Sequence, residues 1–317
     1  MTPLTIVVTG AAGFIGREVV AIARARGHCV RAVVRRASSV CDDWDDGVTP
    51  VIADLLNKDD LVSTLEAADV VIHLAATISG DAEKQRRDTV DATRTLCEAI
   101  VAQSVVPRLV LISSISVYAH DAVAENGIID ETAPLETWPE TRDIYCQNKL
   151  NQEQIALSFH VQHAMPLTVL RPGAVFGNAN NWNAHIGVPV GTVLVQFTRK
   201  GQLPVIYVRH CAMAILKACE IEPTAPINLI DSDPPTRARF LQAIGWQKPT
   251  VVFPWRLLSF IGKLLPLSSK PGLLHPAILQ ARMMPVRYAT TAYESLMQDE
   301  PVLSFEEAAR TSGEGET

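Results

Sequence analysis

The chain has 317 residues, 48% hydrophobic and 20% charged, with 28 Lys+Arg against 34 Asp+Glu for a net charge of −6. That balance excludes a disordered, collagen-like or disulfide-scaffold chain, and at about 150 residues per domain it allows two domains or one enlarged α/β domain. No basic excess marks a nucleic-acid binder.

Six cysteines stand at 29, 41, 97, 146, 211 and 219. They show neither a CxxC pair nor metal-site spacing, so reduced thiols, no metal and a cytoplasmic location are expected. The first residues lack a basic n-region and a long apolar h-region, so no signal peptide is expected. No apolar run reaches the ~18 residues of a membrane span. Leu257–Leu267 comes nearest and reads as an amphipathic surface or lid helix.

The first half alternates short apolar runs with helix-period segments. Strands are predicted at 5–8, 29–34, 51–53, 70–74, 109–113 and 167–170. Helices are predicted at 14–26, 60–67, 88–104 and 143–160. Continuously apolar strands separated by helices predict a parallel sheet covered on both faces. The fold class is therefore α/β, a Rossmann-type doubly wound parallel sheet with a smaller, mostly C-terminal substrate-binding lobe. Residues 1–177 read as the dinucleotide-binding domain, with a returning strand near 227–231. Residues 178–226 and 232–317 read as the lobe: 178–204 have weak periodicity, 223–236 are proline-rich, and the tail from Thr311 is expected to fray.

Thr9-Gly10-Ala11-Ala12-Gly13-Phe14-Ile15-Gly16 joins the first strand to the first helix. Gly10 permits the tight turn, Gly13 the approach of a pyrophosphate and Gly16 close helix–strand packing, and the first N–H groups of the helix hold the anion. The strand–loop–helix context makes this a dinucleotide site. At the end of the second strand, NAD-selective sites place an acidic residue. Here Arg35 and Arg36 stand instead, and two guanidinium groups suit a 2′-phosphate, favouring NADP(H) over NAD(H). The alternative is a pair of solvated arginines with NAD tolerated. Asp54, followed by Leu55, either hydrogen-bonds the adenine or caps its loop.

Tyr145 and Lys149 are spaced i, i+4 on a predicted helix and so share a face. A tyrosine hydroxyl of pKa ~10 is a poor proton-transfer group at neutral pH until a neighbouring ammonium stabilises its phenolate. Ser113-Ser114-Ile115-Ser116 follows a predicted strand, at the edge where open α/β sheets bind ligands. A serine hydroxyl there can hold a reacting oxygen.

These segments, together with His73-Leu74-Ala75-Ala76 and Leu170-Arg171-Pro172-Gly173-Ala174-Val175-Phe176-Gly177, resemble the extended short-chain dehydrogenases/reductases of the NAD-dependent epimerase/dehydratase group. The resemblance covers most of the chain. It implies Ser114 as active-site serine, Tyr145 as general acid/base and Lys149 as the lysine that also bonds the nicotinamide ribose. It implies that Leu74, Ala75 and Ala76 line the middle of the cofactor, and that Pro172, Gly173 and Val175 lie at its nicotinamide end. Arg35 matches the 2′-phosphate position of reductases similar to dihydroflavonol reductase. The resemblance further implies a homodimer through the helices at 88–104 and 143–160. His73 reads as structural.

Several residues depart from the family pattern, among them Thr89, Phe176, Ala119 and Arg209-His210. Ala174 stands nearest to where many nucleotide-sugar epimerases carry Asn, which weakens a sugar-nucleotide substrate. Ser114-Ile115-Ser116 replaces the Thr-Asp-Glu of dehydratases. The expected activity is NADPH-linked reduction of a carbonyl, or oxidation of a secondary alcohol, on a small molecule. The alternatives are a nucleotide-sugar epimerase using tightly bound NAD and a non-catalytic cofactor-binding regulator. Residues 119–142 and 178–196 are expected to wall the substrate, with Trp138, Asn180, Asn181, Trp182 and His185 as candidates.

Overall fold

A computed structural model describes residues 2–178, 180–264 and 275–313. It has a Rossmann-type α/β fold. The elements in chain order are β1 (Thr5–Thr9), α1 (Phe14–Ala25), β2 (Cys29–Val34), β3 (Val48–Ile52), α2 (Lys58–Thr64) and β4 (Val70–His73). There follow α3 (Ala82–Arg86), a π-helical segment Arg87–Asp91, α4 (Ala92–Val101), β5 (Arg108–Ile112), α5 (Ile144–His163) and, further on, α6 (Val208–Ile221). The main sheet has seven strands in the order Ile227–Leu229, Leu167–Pro172, β5, β4, β1, β2, β3. Pairings from Leu167–Pro172 through β3 are parallel. Strand order reverses at β1, which leaves a crevice beyond the carboxyl ends of β1 and β4. The returning strand expected near 227 takes the sheet edge.

The chain divides into two compact units. The first comprises residues 1–114, 148–171 and 208–227. Its core joins Val7, Val33, Val71, Leu109 and Leu111 of the sheet to Leu61, Leu96 and Ile100 of α2 and α4. Each such side chain, fully buried, contributes about 1.5–3 kcal/mol. The second unit comprises residues 115–147, 172–207 and 228–317. There Ile115, Tyr118, Ile129, Ile230, Met284 and Val286 form one buried cluster, and the Tyr118 hydroxyl donates to Asn228 Oδ1 at 2.7 Å. The sequence reading divides the chain at residue 177. By packing, 115–147 belong with the second unit because that loop builds this apolar cluster, and 208–227 with the first because α6 lies against α1.

Two local readings change. The helix expected to begin at 88 begins at Ala82, because the Asp81 side chain accepts from the Lys84 N–H at 2.8 Å and caps it. The stretch 178–204 holds paired strands, Val188–Val190 and Val193–Gln196, the second also parallel to Thr250–Val252. The segment 257–267 begins within a helix, Trp255–Leu264, and its last three residues lie outside the described residues; so does the end of the tail, beyond residue 313. Among the described residues no helix is long and apolar enough to cross a membrane.

Candidate functional site

The first unit carries a cavity of about 260 Å³ at the crevice, lined by Gly10, Ala12, Gly13, Val33, Val34, Arg35, Ser39, Ala53, Leu55, Leu74, Ala75 and Ala76. The ends of all four strands β1–β4 therefore meet there. Gly10 has φ +72° and passes so close to the β4 loop that a Cβ would meet the Ala75 nitrogen at 3.0 Å. A Cβ on Gly16 would collide with the carbonyl oxygens of Gly10 and Ala11. Within this loop, Gly10 and Gly16 are held to glycine, one for the turn and one for the seat of α1 against it. Gly13 is the N-cap of α1 and supplies no side-chain cap, and the first turn holds no acidic residue. The helix thus begins with unspent N–H donors and no competing carboxylate, as a pyrophosphate requires. A glycine cradle, a bare helix start and a hydrophobic-walled crevice fit a dinucleotide.

Phe14 and Ile15 begin α1 and, with Gly16, stand outside the cavity's lining. The lining also omits Arg36. It follows Arg35 in extended backbone (φ −140°, ψ 145°), where successive side chains point to opposite sides. Asp54 is omitted as well: its Oδ1 accepts from the Leu56 N–H at 3.1 Å, which is the loop-capping role. Arg35 lines the cavity with its side chain 54% exposed, and its Nη1 donates to Asp88 Oδ2 at 3.1 Å. Spacing gives no hint of that partner, 53 residues away.

Behind the loop lies a buried polar chain. Thr93 Oγ1 donates to the Thr89 carbonyl at 2.7 Å, so it accepts from Gln152 Nε2 at 2.7 Å and from His73 Nε2 at 2.9 Å. His73 Nδ1 then accepts from Thr9 Oγ1 at 2.7 Å, and Thr9 Oγ1 accepts from the Ala75 N–H at 3.4 Å. His73 is therefore a neutral Nε2–H tautomer that ties β1 to β4 at the loop. Burial, with a smaller push from Lys149, pulls its pKa down to about 3.

In the second unit, His120 is buried and His185 half-buried, and both have pKa values lowered, chiefly by burial, to about 3 and about 4. An unfolded histidine takes a proton near pH 6.5, whereas these three stay neutral while folded. The penalty from these three is thus absent above about pH 6.5, and stability is expected to fall as pH drops from there toward 4. Each histidine costs about 1.4 kcal/mol per pH unit in that window. Urea unfolding between pH 7.5 and 4.5 measures it; a flat profile contradicts the assignment.

Tyr145 and Lys149 both lie on α5. Lys149 is buried, and its Nζ donates to the Ile112 carbonyl at the end of β5, at 2.8 Å. Burial pulls the ammonium down to about 8, and Glu153 opposes that fall. Glu153 is itself buried in a two-pronged bond with Arg171, at 3.0 and 2.8 Å. Ser114 is buried just beyond β5.

In the second unit, Gly173 donates its N–H to the Leu229 carbonyl at 3.0 Å, Val175 pairs with Ile206, and Pro172 ends the strand Leu167–Pro172. That unit has its own cavity of about 290 Å³, with Trp138, Thr141, Arg142 and His275 among its walls. The other substrate-wall candidates are not among its lining residues. Trp182 stacks on Trp246 with ring centres 5.3 Å apart, His185 is bonded to the Arg282 carbonyl, and Asn180 donates its N–H to the Gly177 carbonyl.

Residues 6–222 match the model of the NAD dependent epimerase/dehydratase family. Cinnamoyl-CoA reductase 2 of Arabidopsis thaliana is 30% identical over 180 residues, 54% of this chain and 54% of its own. The 3-beta-hydroxysteroid dehydrogenase of Mycolicibacterium neoaurum is 30% identical over 184 residues, 55% of this chain and 48% of its own. The chain spans about half the length of the curated relatives it matches. Among solved structures, a UDP-glucuronic acid 4-epimerase from Bacillus cereus in complex with NAD aligns over 98% of both chains at TM-score 0.73 and 17% identity. MoeE5 in complex with UDP-glucose and NAD does so over 98% of both at 0.72 and 20%. At such identities the likeness is one of fold. The family match covers two thirds of the sequence, from β1 through α6, and takes in the glycine cradle and the Tyr145–Lys149 helix: the chain belongs to the NAD-dependent epimerase/dehydratase family, among the extended short-chain dehydrogenases/reductases.

Proposed function

We propose that this protein is an NADP(H)-linked oxidoreductase that interconverts a carbonyl and a secondary alcohol on a small molecule. The observation that carries the reading is Lys149, a buried ammonium held by the end of β5 one helical turn beyond Tyr145. A cation with so little water around it acts strongly on a neighbouring phenol. It stabilises the Tyr145 phenolate, so the Tyr145 hydroxyl gives its proton to the substrate oxygen in reduction and takes it back in oxidation. Ser114 donates a hydrogen bond to that same oxygen and fixes its position. The bound nicotinamide supplies or accepts the hydride. Gly10, Gly13 and the start of α1 hold the pyrophosphate, and Leu55, Leu74, Ala75 and Ala76 wall the cofactor's length. Pro172, Gly173 and Val175 flank its nicotinamide end.

The NADP(H) preference rests on Arg35 in the cavity wall, where a carboxylate would repel a 2′-phosphate. Titration calorimetry tests it. NADPH is expected to bind about tenfold or more tightly than NADH, and Arg35→Ala to erase the difference, since a charge-assisted bond is worth about 1.5–3 kcal/mol. Equal affinities in the unchanged protein contradict the preference and favour the epimerase reading, in which tightly held NAD is regenerated within each turnover.

A further inference from the structure

Asp88 sits in the π-helical segment Arg87–Asp91, with its side chain only 3% exposed. Its two oxygens serve two cations. Oδ2 accepts from Arg35 Nη1 at 3.1 Å, and Oδ1 accepts from Arg87 Nε at 3.1 Å, with Arg87 Nη2 in ion-pair range at the same distance. Burial alone raises a carboxyl's pKa, yet the bonds from Arg35 and Arg87 hold Asp88 below the usual range. Adjacent residues on a regular α-helix do not face each other. In this π segment Arg87 turns back onto Asp88, and π segments recur at functional sites.

The charge count is two guanidinium groups against one carboxylate, so a surplus positive charge sits beside the cavity that Arg35 lines. Both arginine side chains keep more than half their surface in solvent, at 54% and 55%. A guanidinium has five N–H donors in a planar fork. Asp88 accepts from one donor of each, which leaves donors on both for a second anion. Because both forks bind one carboxylate, they are spaced to bracket a group of similar size, such as a phosphate. Arg36 and Arg87 both stand outside the cavity's lining, but Arg87 shares Asp88 with the wall residue Arg35, whereas Arg36 follows Arg35 in extended backbone, which sends its side chain to the other side.

We propose that Arg87 is a second cofactor-selecting residue, which grips the 2′-phosphate of NADP(H) jointly with Arg35, and that Asp88 is the positioning residue that holds the two guanidinium groups as a pair. Arg36 takes no part. This inference rests on the NADP(H) reading above.

The test is calorimetry on the full chain with adenosine 2′,5′-bisphosphate and with AMP, which differ by the 2′-phosphate alone. Arg87→Gln is expected to weaken the bisphosphate roughly ten- to a hundredfold and leave AMP unchanged. Arg36→Gln is expected to change neither. Asp88→Asn is expected to weaken the bisphosphate while AMP, which reports an intact fold and glycine loop, binds as before; Asp88→Glu restores part of the loss. Undiminished bisphosphate binding by Arg87→Gln overturns the role of Arg87. Tighter bisphosphate binding by Asp88→Asn overturns the role of Asp88 and makes it a competitor of the phosphate. If the unchanged protein binds the two nucleotides equally, the NADP(H) reading itself fails and this inference falls with it.

Discussion

Replacing Tyr145 with Phe is expected to lower kcat for carbonyl reduction by roughly 10²- to 10⁴-fold, the range that a positioned proton-transfer group contributes. Cofactor affinity should hardly move, because the phenyl ring keeps its place on α5 and only the hydroxyl is lost. The pH profile carries a second signature. Lys149 sits at about 8, so its charge is complete at neutral pH and disappears as pH rises through that value. Turnover in the unchanged protein should therefore decline on the basic side with a midpoint near 8. Stopped-flow consumption of NADPH against a panel of aldehydes and ketones measures both effects. Full activity in Tyr145→Phe excludes the mechanism and strengthens the non-catalytic alternative.

Glu153→Leu is expected to have the largest effect on stability. The Arg171–Glu153 pair is bidentate and more than nine-tenths buried on both sides. Removing one partner of such a pair strands the other's charge and typically costs about 3–5 kcal/mol. Replacing both with apolar residues of similar volume removes that penalty, so Glu153→Leu/Arg171→Met should recover most of the loss in urea unfolding. Glu153 also props up the Lys149 ammonium, so its removal lets burial pull that group below 8. The basic limb of the activity profile should move to lower pH in the single and the double variant alike, while stability returns only in the double. A double variant as unstable as the single one contradicts the stranded-charge account, and an unmoved limb contradicts the link to Lys149.

The parts of the molecule written in short spacings were legible in the sequence. The glycine loop, the apolar strands and the Tyr145–Lys149 turn each depend on residues within a few positions, and each lies on its expected element. What escaped depends on distance or on fine register. Arg35 meets Asp88 across 53 positions, and nothing in either neighbourhood announces the other. Arg35 and Arg36 look equivalent as letters, yet extended backbone sends neighbouring side chains to opposite sides. Asp81 reads as an ordinary loop carboxylate until its bond to the Lys84 N–H shows it to be a helix cap. The strands after residue 187 are short and hold Pro189, and Gly191 at φ +57° turns the chain between them, so their alternation is too brief to register.

The tie from Thr93 through His73 and Thr9 to the Ala75 amide bears on how this protein meets its cofactor. The two loops at the mouth of the crevice are fastened from behind by Thr9, His73 and Thr93, which stand outside the cavity's lining. Their ordering is charged to folding and not to binding, so little conformational entropy remains to be surrendered when a dinucleotide arrives. Affinity then depends on the contacts themselves, and discrimination between two dinucleotides reduces to the few atoms in which they differ.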